Sequence, residues 1–198
     1  MKKIIYTQRV EVIESYGERR DCADQRIPEF LIACGYLPIA ISNLPQLVPM
    51  YFEEIKPDGV LLTGGNSLVR NGGNALEKDE TDRRVIDCAI KKHIPIYGFC
   101  RGMQSLLDYF GQELVKVSGH VATKHKLQGN LGNMTVNSYH NEGVRSVKPP
   151  FEVLAYAEDG VVEAIQSSKY NIVATMWHPE REYPFEISDI ERVKKLFQ

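Results

Sequence analysis

The chain has 198 residues, 43% of them hydrophobic and 25% charged, which fits one globular domain over residues 1–198 with a core of its own. Its 24 Lys and Arg against 26 Asp and Glu give a formal charge of -2, which argues against a global basic field for nucleic acid or an anionic membrane surface. No apolar stretch is long enough for a bilayer, the run after Lys2-Lys3 is too short for a signal peptide, and Cys22, Cys34, Cys88 and Cys100 show no C-x-x-C pairing. The expectation is a cytoplasmic protein with free thiols.

Short β-branched or apolar runs alternate with longer amphipathic ones, the pattern of a mainly parallel sheet covered by helices in an α/β fold. The pattern predicts a strand over Lys3–Tyr6, a helix over Arg26–Cys34 stopped by Gly35, and a strand over Leu37–Ser42. A helix over Leu47–Ile55 follows, then a buried strand over Gly59–Thr63 that runs into Gly64-Gly65. The next helix, about Glu80–Lys92, places Val85, Ile86, Ala89 and Ile90 on one face. A strand over Ile94–Gly98 leads at once into a helical run over Gly102–Phe110, with Gly111 as its stop. From about Thr135 the pattern changes to a smaller antiparallel region, with strands over Phe151–Ala157, Val161–Gln166 and Ile172–Trp177 and a turn signal at Asp159-Gly160. The last element is an amphipathic helix over Ile187–Phe197.

Two segments carry chemistry. Gly98-Phe99-Cys100-Arg101-Gly102 is G-x-C-x-G, the cysteine counterpart of a nucleophile elbow. A nucleophile raised on a tight strand-to-helix turn crowds the residues two positions away on each side, so both must lack large side chains. The turn also sets the sulfur at a helix N-terminus, where the dipole favours thiolate. Taken alone, the same spacing also fits a buried cysteine between two packing glycines. In Met176-Trp177-His178-Pro179-Glu180, His and Glu are two apart on an extended segment, so both point to one side and Glu180 can orient the His178 imidazole.

These motifs, Gly98-Phe-Cys-Arg-Gly-Met-Gln104 and Trp177-His-Pro-Glu180, resemble the signatures of the class I glutamine amidotransferase family. Leu61-Leu-Thr-Gly-Gly-Asn66, Val136-Asn-Ser-Tyr-His140 and Glu158-Asp-Gly-Val-Val-Glu-Ala164 resemble its γ-glutamyl hydrolase branch, peptidase family C26. The resemblance implies a flavodoxin-like three-layer sandwich and hydrolysis of a γ-glutamyl amide through a thioester on Cys100, with His178 and Glu180 completing a triad. It implies an oxyanion hole from the backbone N–H groups of Gly65 and Arg101, and glutamyl contacts from Gln104 and the Ser138–Glu142 loop, including His140 and Asn141. His140 is open to a second reading as a structural hydrogen-bonder.

The loop after the first strand gathers Arg19, Arg20 and Arg26, which suit a phosphate or a surface ion-pair cluster with Glu18 and Asp21 equally in kind. The combination Gln8-Arg-Val, Ser15-Tyr-Gly-Glu-Arg-Arg-Asp and Asp24-Gln-Arg26 resembles a small subgroup that removes glutamate from a glutamine-linked cytidine diphosphate, leaving cytidine diphosphoramidate for capsule modification. In that reading the arginines hold the diphosphate, and the partner is a small γ-glutamyl molecule with no synthase subunit required. The rivals are an inactive binding module on the same fold, a γ-glutamyl-polyamine hydrolase and an ammonia-producing glutaminase subunit. His120, His125 and His140 fall in one region, but the five-residue step from His120 to His125 matches no known ligand pattern, so neither metal nor other cofactor is expected.

Overall fold

The computed structural model describes residues 1–198, and an eight-stranded sheet organises it. In chain order the elements are β1 (Lys3–Tyr6), β2 (Arg9–Ile13), β3 (Glu18–Cys22), α1 (Arg26–Ala33), β4 (Leu37–Ala40), α2 (Val48–Glu54), β5 (Gly59–Leu62), α3 (Leu76–Lys91), β6 (Ile96–Phe99) and α4 (Arg101–Tyr109). There follow β7 (Val115–Lys116), β8 (Val121–Lys126), β9 (Gln128–Gly129), β10 (Thr135–Tyr139), β11 (Glu142–Gly143), β12 (Glu152–Tyr156), β13 (Val162–Ser167), β14 (Ile172–Thr175) and α5 (Ile187–Leu196). The sheet order is β4-β1-β5-β6-β14-β13-β12-β9: the first five run parallel and the last three add antiparallel at one side.

Alternation along the parallel strands gives the sheet two apolar faces. Ile5, Val60, Leu62 and Ile96 enter one core with Phe52 of α2, Val85, Ile86 and Ala89 of α3, and Met103, Leu106 and Leu107 of α4. Ile4, Leu61, Tyr97 and Phe99 enter the other with Ile27, Phe30 and Leu31 of α1 and with Val193 and Phe197 at the α5 end. Helices therefore cover both faces, giving the three-layer sandwich the motifs imply. No helix is long and apolar enough to cross a membrane.

The structure differs from the sequence reading chiefly in three places. Helix α3 begins at Leu76, a turn before the expected Glu80, because Lys78 is polar yet wholly buried, its Nζ held by Asp82 one turn on at 3.0 Å. The stretch after β1 is a β-hairpin, β2 with β3, rather than a loop. Its alternation is hidden because nearly every β3 side chain is exposed, and its place is set by Asn66, which accepts from Val10 N and donates to Val10 O at 2.9 and 2.8 Å. Strand β10 pairs with β8 in a second small ribbon beside the main sheet.

The strand β6 and helix α4 meet in a close crossing of backbones. A Cβ at Gly102 would lie 2.1 Å from the Leu62 carbonyl oxygen of β5, and one at Gly98 would lie 3.0 Å from Gly102 C. Gly102→Ala is expected to cost about 1 to 3 kcal/mol or more, since backbone and not a flexible side chain must give way. Urea unfolding measures it, and an unchanged midpoint would contradict this account of the packing.

Candidate active site

Cys100 sits between β6 and α4 with φ 51 and ψ -110, a conformation that side-chain-bearing residues rarely adopt. Its N–H donates to Thr175 O of β14 at 2.8 Å and its carbonyl accepts the Gln104 N–H at 3.1 Å, so strand and helix each hold one side of the bend. The thiol lines a cleft together with Arg9, Cys22, Asp24, Gly64, Gly65, Tyr139, His178, Glu180 and Arg181.

His178 follows β14 at the point where that strand leaves the sheet. Asn137 of β10 holds its backbone twice: Oδ1 accepts the His178 N–H at 2.9 Å and Nδ2 donates to its carbonyl at 2.9 Å. Glu180 Oε1 accepts from His178 Nδ1 at 2.7 Å, which leaves Nε2 for the sulfur side. The edge of Phe99 packs against the ring at 5.3 Å, and the Tyr139 ring stands at 88° to it, 5.7 Å away. Burial alone would push the imidazole pKa down. The Cys100 sulfur, by charge and hydrogen bond, and then Glu180 override it and push the pKa up to about 9.

Gly65 has φ 148, and a Cβ there would lie 2.6 Å from the Arg9 Cβ, so glycine is required where the hairpin crosses the loop after β5. The Gly65 N–H donates to no protein carbonyl. The Arg101 N–H is the first of α4 and has no intrahelical acceptor. Around it, the buried Arg101 guanidinium binds Asp79 at 2.6 Å and also Ser105, while Ser105 Oγ donates to Asp82 at 2.6 Å. This ionic cluster ties the first turn of α4 to α3.

The other expected substrate contacts are placed differently. Arg19 pairs with Glu77 at 2.5 Å and donates to Asn74 O; Arg20 pairs with Glu18 at 2.5 Å and with Tyr16. Arg26 donates to the carbonyls of Glu180 and Glu182 at 2.8 and 2.7 Å. None of the three lines the cleft, because β3 turns the first two outward and the third is committed to the backbone beside Glu180. Gln104 is buried and donates to Glu142 O at 3.1 Å, His140 Nδ1 faces the same carbonyl at 3.1 Å, and Asn141 is exposed. From the Ser138–Glu142 loop it is Tyr139 that faces the cleft.

The sequence reading gives Arg181 no role, carries Arg9 and Asn137 only inside resemblance motifs, and includes Tyr139 only as a member of the Ser138–Glu142 loop. Arg181 lies next to Glu180 and its guanidinium covers the Tyr139 ring at 4.3 Å, while Arg9 opens β2 and also lines the cleft. Adjacency to Glu180 is a signal that the sequence carries for Arg181. For the other three, only the pairing of β2 with β3 and of β8 with β10 brings them to the site.

A model of the class I glutamine amidotransferase family matches residues 31–184. The γ-glutamyl-CDP-amidate hydrolase of Campylobacter jejuni is 28% identical over 196 residues, covering 96% of this chain and 95% of that protein. The γ-glutamyl-γ-aminobutyrate hydrolase of Escherichia coli strain K12 is 30% identical over 205 residues, covering 83% and 80%. Among solved structures, a proposed GMP synthase subunit from Thermoplasma acidophilum superposes with a TM-score of 0.73 at 22% identity over 100% of this chain and 94% of that one. A glutamine amidotransferase from Thermotoga maritima does so with 0.68 at 13% identity over 99% and 93%. Both are similar in fold.

The His178 titration is a direct readout of this geometry. Its imidazole is expected to keep its second proton through neutral pH and lose it as pH rises through about 9. An NMR titration of the ring proton should show that midpoint fall in both Cys100→Ala and Glu180→Gln, since each removes a group that favours the charged ring while burial remains. A wild-type midpoint near the ordinary 6.5 would contradict the arrangement.

Proposed function

The chain belongs to the class I glutamine amidotransferase family, and we propose that it is a γ-glutamyl hydrolase whose leaving group is a nucleoside diphosphoramidate, with γ-glutamyl-CDP-amidate as substrate. The observation that carries the reaction class is the convergence of Cys100, the His178–Glu180 pair and the free Gly65 N–H on one cleft. The observation that favours a phosphorylated leaving group is the pair Arg9 and Arg181, both of which line that cleft. The similarity to the C. jejuni enzyme over nearly both full lengths points the same way.

In this mechanism the Cys100 sulfur, as thiolate, attacks the γ-carbonyl carbon, and the carbonyl electrons move onto oxygen. The N–H groups of Gly65 and Arg101 stabilise that oxyanion, and because both are fixed by backbone they cost no reorganisation. The tetrahedral species collapses as the C–N bond breaks, and the imidazolium of His178 gives its proton to the departing nitrogen. Glu180 keeps the ring oriented throughout. Water then attacks the thioester, His178 takes its proton, and glutamate leaves with Cys100 restored. The sum is γ-glutamyl amide plus water giving glutamate and the free amidate.

A diphosphate leaving group explains why two guanidiniums line the cleft, since a forked cation suits phosphate oxygens. A cationic leaving group such as a polyamine would call for carboxylates there; the anionic γ-aminobutyrate would not, and its γ-glutamyl amide is the amine substrate used in the test below. Besides Glu180 the cleft offers Asp24, whose Oδ1 already accepts the Arg26 N–H at 3.0 Å.

The test measures glutamate release from glutamine, a γ-glutamyl amine and γ-glutamyl-CDP-amidate by wild type, Arg9→Ala and Arg181→Ala. Loss of a charge-assisted contact costs about 1.5 to 3 kcal/mol, so kcat/KM for the nucleotide amidate should fall roughly ten- to a hundredfold while glutamine hydrolysis barely changes. Equal effects on all three substrates would remove the diphosphate from the proposal. Arg26→Ala is expected instead to lower kcat on every substrate alike, because Arg26 holds the carbonyls of Glu180 and Glu182 and no part of the substrate. A substrate-selective effect of Arg26→Ala would contradict that assignment.

A further inference from the structure

Beside the active site, and unused by the reaction, lies a second group of titratable side chains. His120 precedes β8, His125 lies on it, His140 follows β10 and Glu163 lies on β13. One nitrogen from each of His120 and His125 and a carboxylate oxygen of Glu163 lie within 4.8 Å of one another. The His120 ring is 4.1 Å from that of His125 and 4.7 Å from that of His140. His120 is 2% exposed and Glu163 0%.

The hydrogen bonds around this group leave it short of positive charge. His140 Nδ1 faces the Glu142 carbonyl at 3.1 Å, and a carbonyl only accepts, so the proton sits on Nδ1. His140 Nε2 then points a lone pair at Glu163 Oε1, 3.3 Å away. His120 repeats the problem: Nε2 donates to Asp159 at 3.2 Å, and Nδ1 faces the same Glu163 oxygen at 3.2 Å. Protons cure both contacts only by placing two imidazoliums side by side against one carboxylate. Meanwhile His120 Nδ1, His125 Nε2 and Glu163 Oε2 are each buried without a hydrogen-bond partner. An unpaired buried polar atom is costly, and this one group of side chains holds three.

We propose that His120, His125 and Glu163 form a binding site for a divalent zinc-class metal ion, with His140 adjoining it. Two imidazoles and a carboxylate are a donor set that zinc accepts, at about 2.0 to 2.2 Å per bond. Tetrahedral bonds of that length put donors roughly 3.3 Å apart, so modest side-chain rotations close the set. Asp159 on His120 is the kind of carboxylate partner that fixes the tautomer of a metal-bound histidine. The half-buried His125 supplies the entry path. Sequence spacing hides the site because its third ligand comes from β13, far along the chain from the two histidines.

The ion has a structural consequence. His120 O accepts from Ser138 Oγ and His140 N, and Ser138 adjoins Asn137, which holds His178. A metal joining β8 to β13 therefore pins the β8–β10 ribbon to the main sheet.

The test uses the full chain, stripped with a chelator and titrated with Zn²⁺ against a chromophoric competitor. One ion per chain is expected. His125→Ala, at a half-exposed position, and the isosteric Glu163→Gln should each weaken binding at least about a hundredfold, and Asp159→Asn about ten- to a hundredfold. Cys22→Ser and Cys100→Ser should leave the affinity unchanged, which separates this site from the thiols. Failure to bind one ion, or an affinity that survives either His125→Ala or Glu163→Gln in a protein with native circular dichroism, would overturn the proposal.

Discussion

The backbone of Cys100 is the constraint on which the rest of the site depends. Holding a non-glycine residue at φ 51 and ψ -110 costs on the order of 1 to 3 kcal/mol. That cost is met by what the bend allows. Gly98 and Gly102 let β6, α4 and β5 approach until backbone touches backbone, and Met103, Leu106 and Leu107 are then wholly buried against the sheet. Each such side chain contributes about 1.5 to 3 kcal/mol, so the packing of α4 outweighs the strain at the residue that precedes it. The same bend exposes the first N–H of the helix beside the sulfur, so the strain and the proposed oxyanion donor arise from one turn.

The imidazole side of the site is assembled from farther apart. His178 leaves β14 next to β6, and parallel pairing of Thr175 with Phe99 brings the ends of the two strands level. The backbone of His178 is then clamped by Asn137, and that of Glu180 by Arg26. Two separate segments thus meet at the His178–Glu180 step, and each uses polar bonds to backbone, which fixes position without adding bulk near the sulfur. The ribbon that carries Asn137 has few apolar anchors, since β8 is largely exposed. Its attachment runs through Ser138, His120 and Glu163 in the buried polar group described above.

Much of this was legible in the sequence where the signal is local and mechanical. G-x-C-x-G states the space requirement of the elbow, and His-x-Glu states the same-side geometry of an extended segment. The parallel strands read clearly because both faces are buried. Features fixed by pairing between distant segments did not show. Glu18-Arg-Arg-Asp-Cys22 reads as a charged loop until β2 pairs with it, and then Arg19 and Arg20 turn outward while Arg9 borders the cleft. Arg26 is cationic for the sake of two carbonyls, a use that composition cannot distinguish from phosphate binding. The buried Lys78 hid the first turn of α3 for the same reason: its partner, not its type, makes it a core residue.

The central claim is that Cys100 carries the glutamyl group as a thioester. Acid-quenched protein taken from turnover of a γ-glutamyl amide, in a Glu180→Gln background to slow breakdown, can be digested and examined by mass spectrometry. The account predicts an added glutamyl group on the peptide containing Cys100 that is released by hydroxylamine, and none on peptides containing Cys22, Cys34 or Cys88. Glutamate release at an undiminished rate from a Cys100→Ala protein, or a glutamyl adduct confined to another residue, would contradict it.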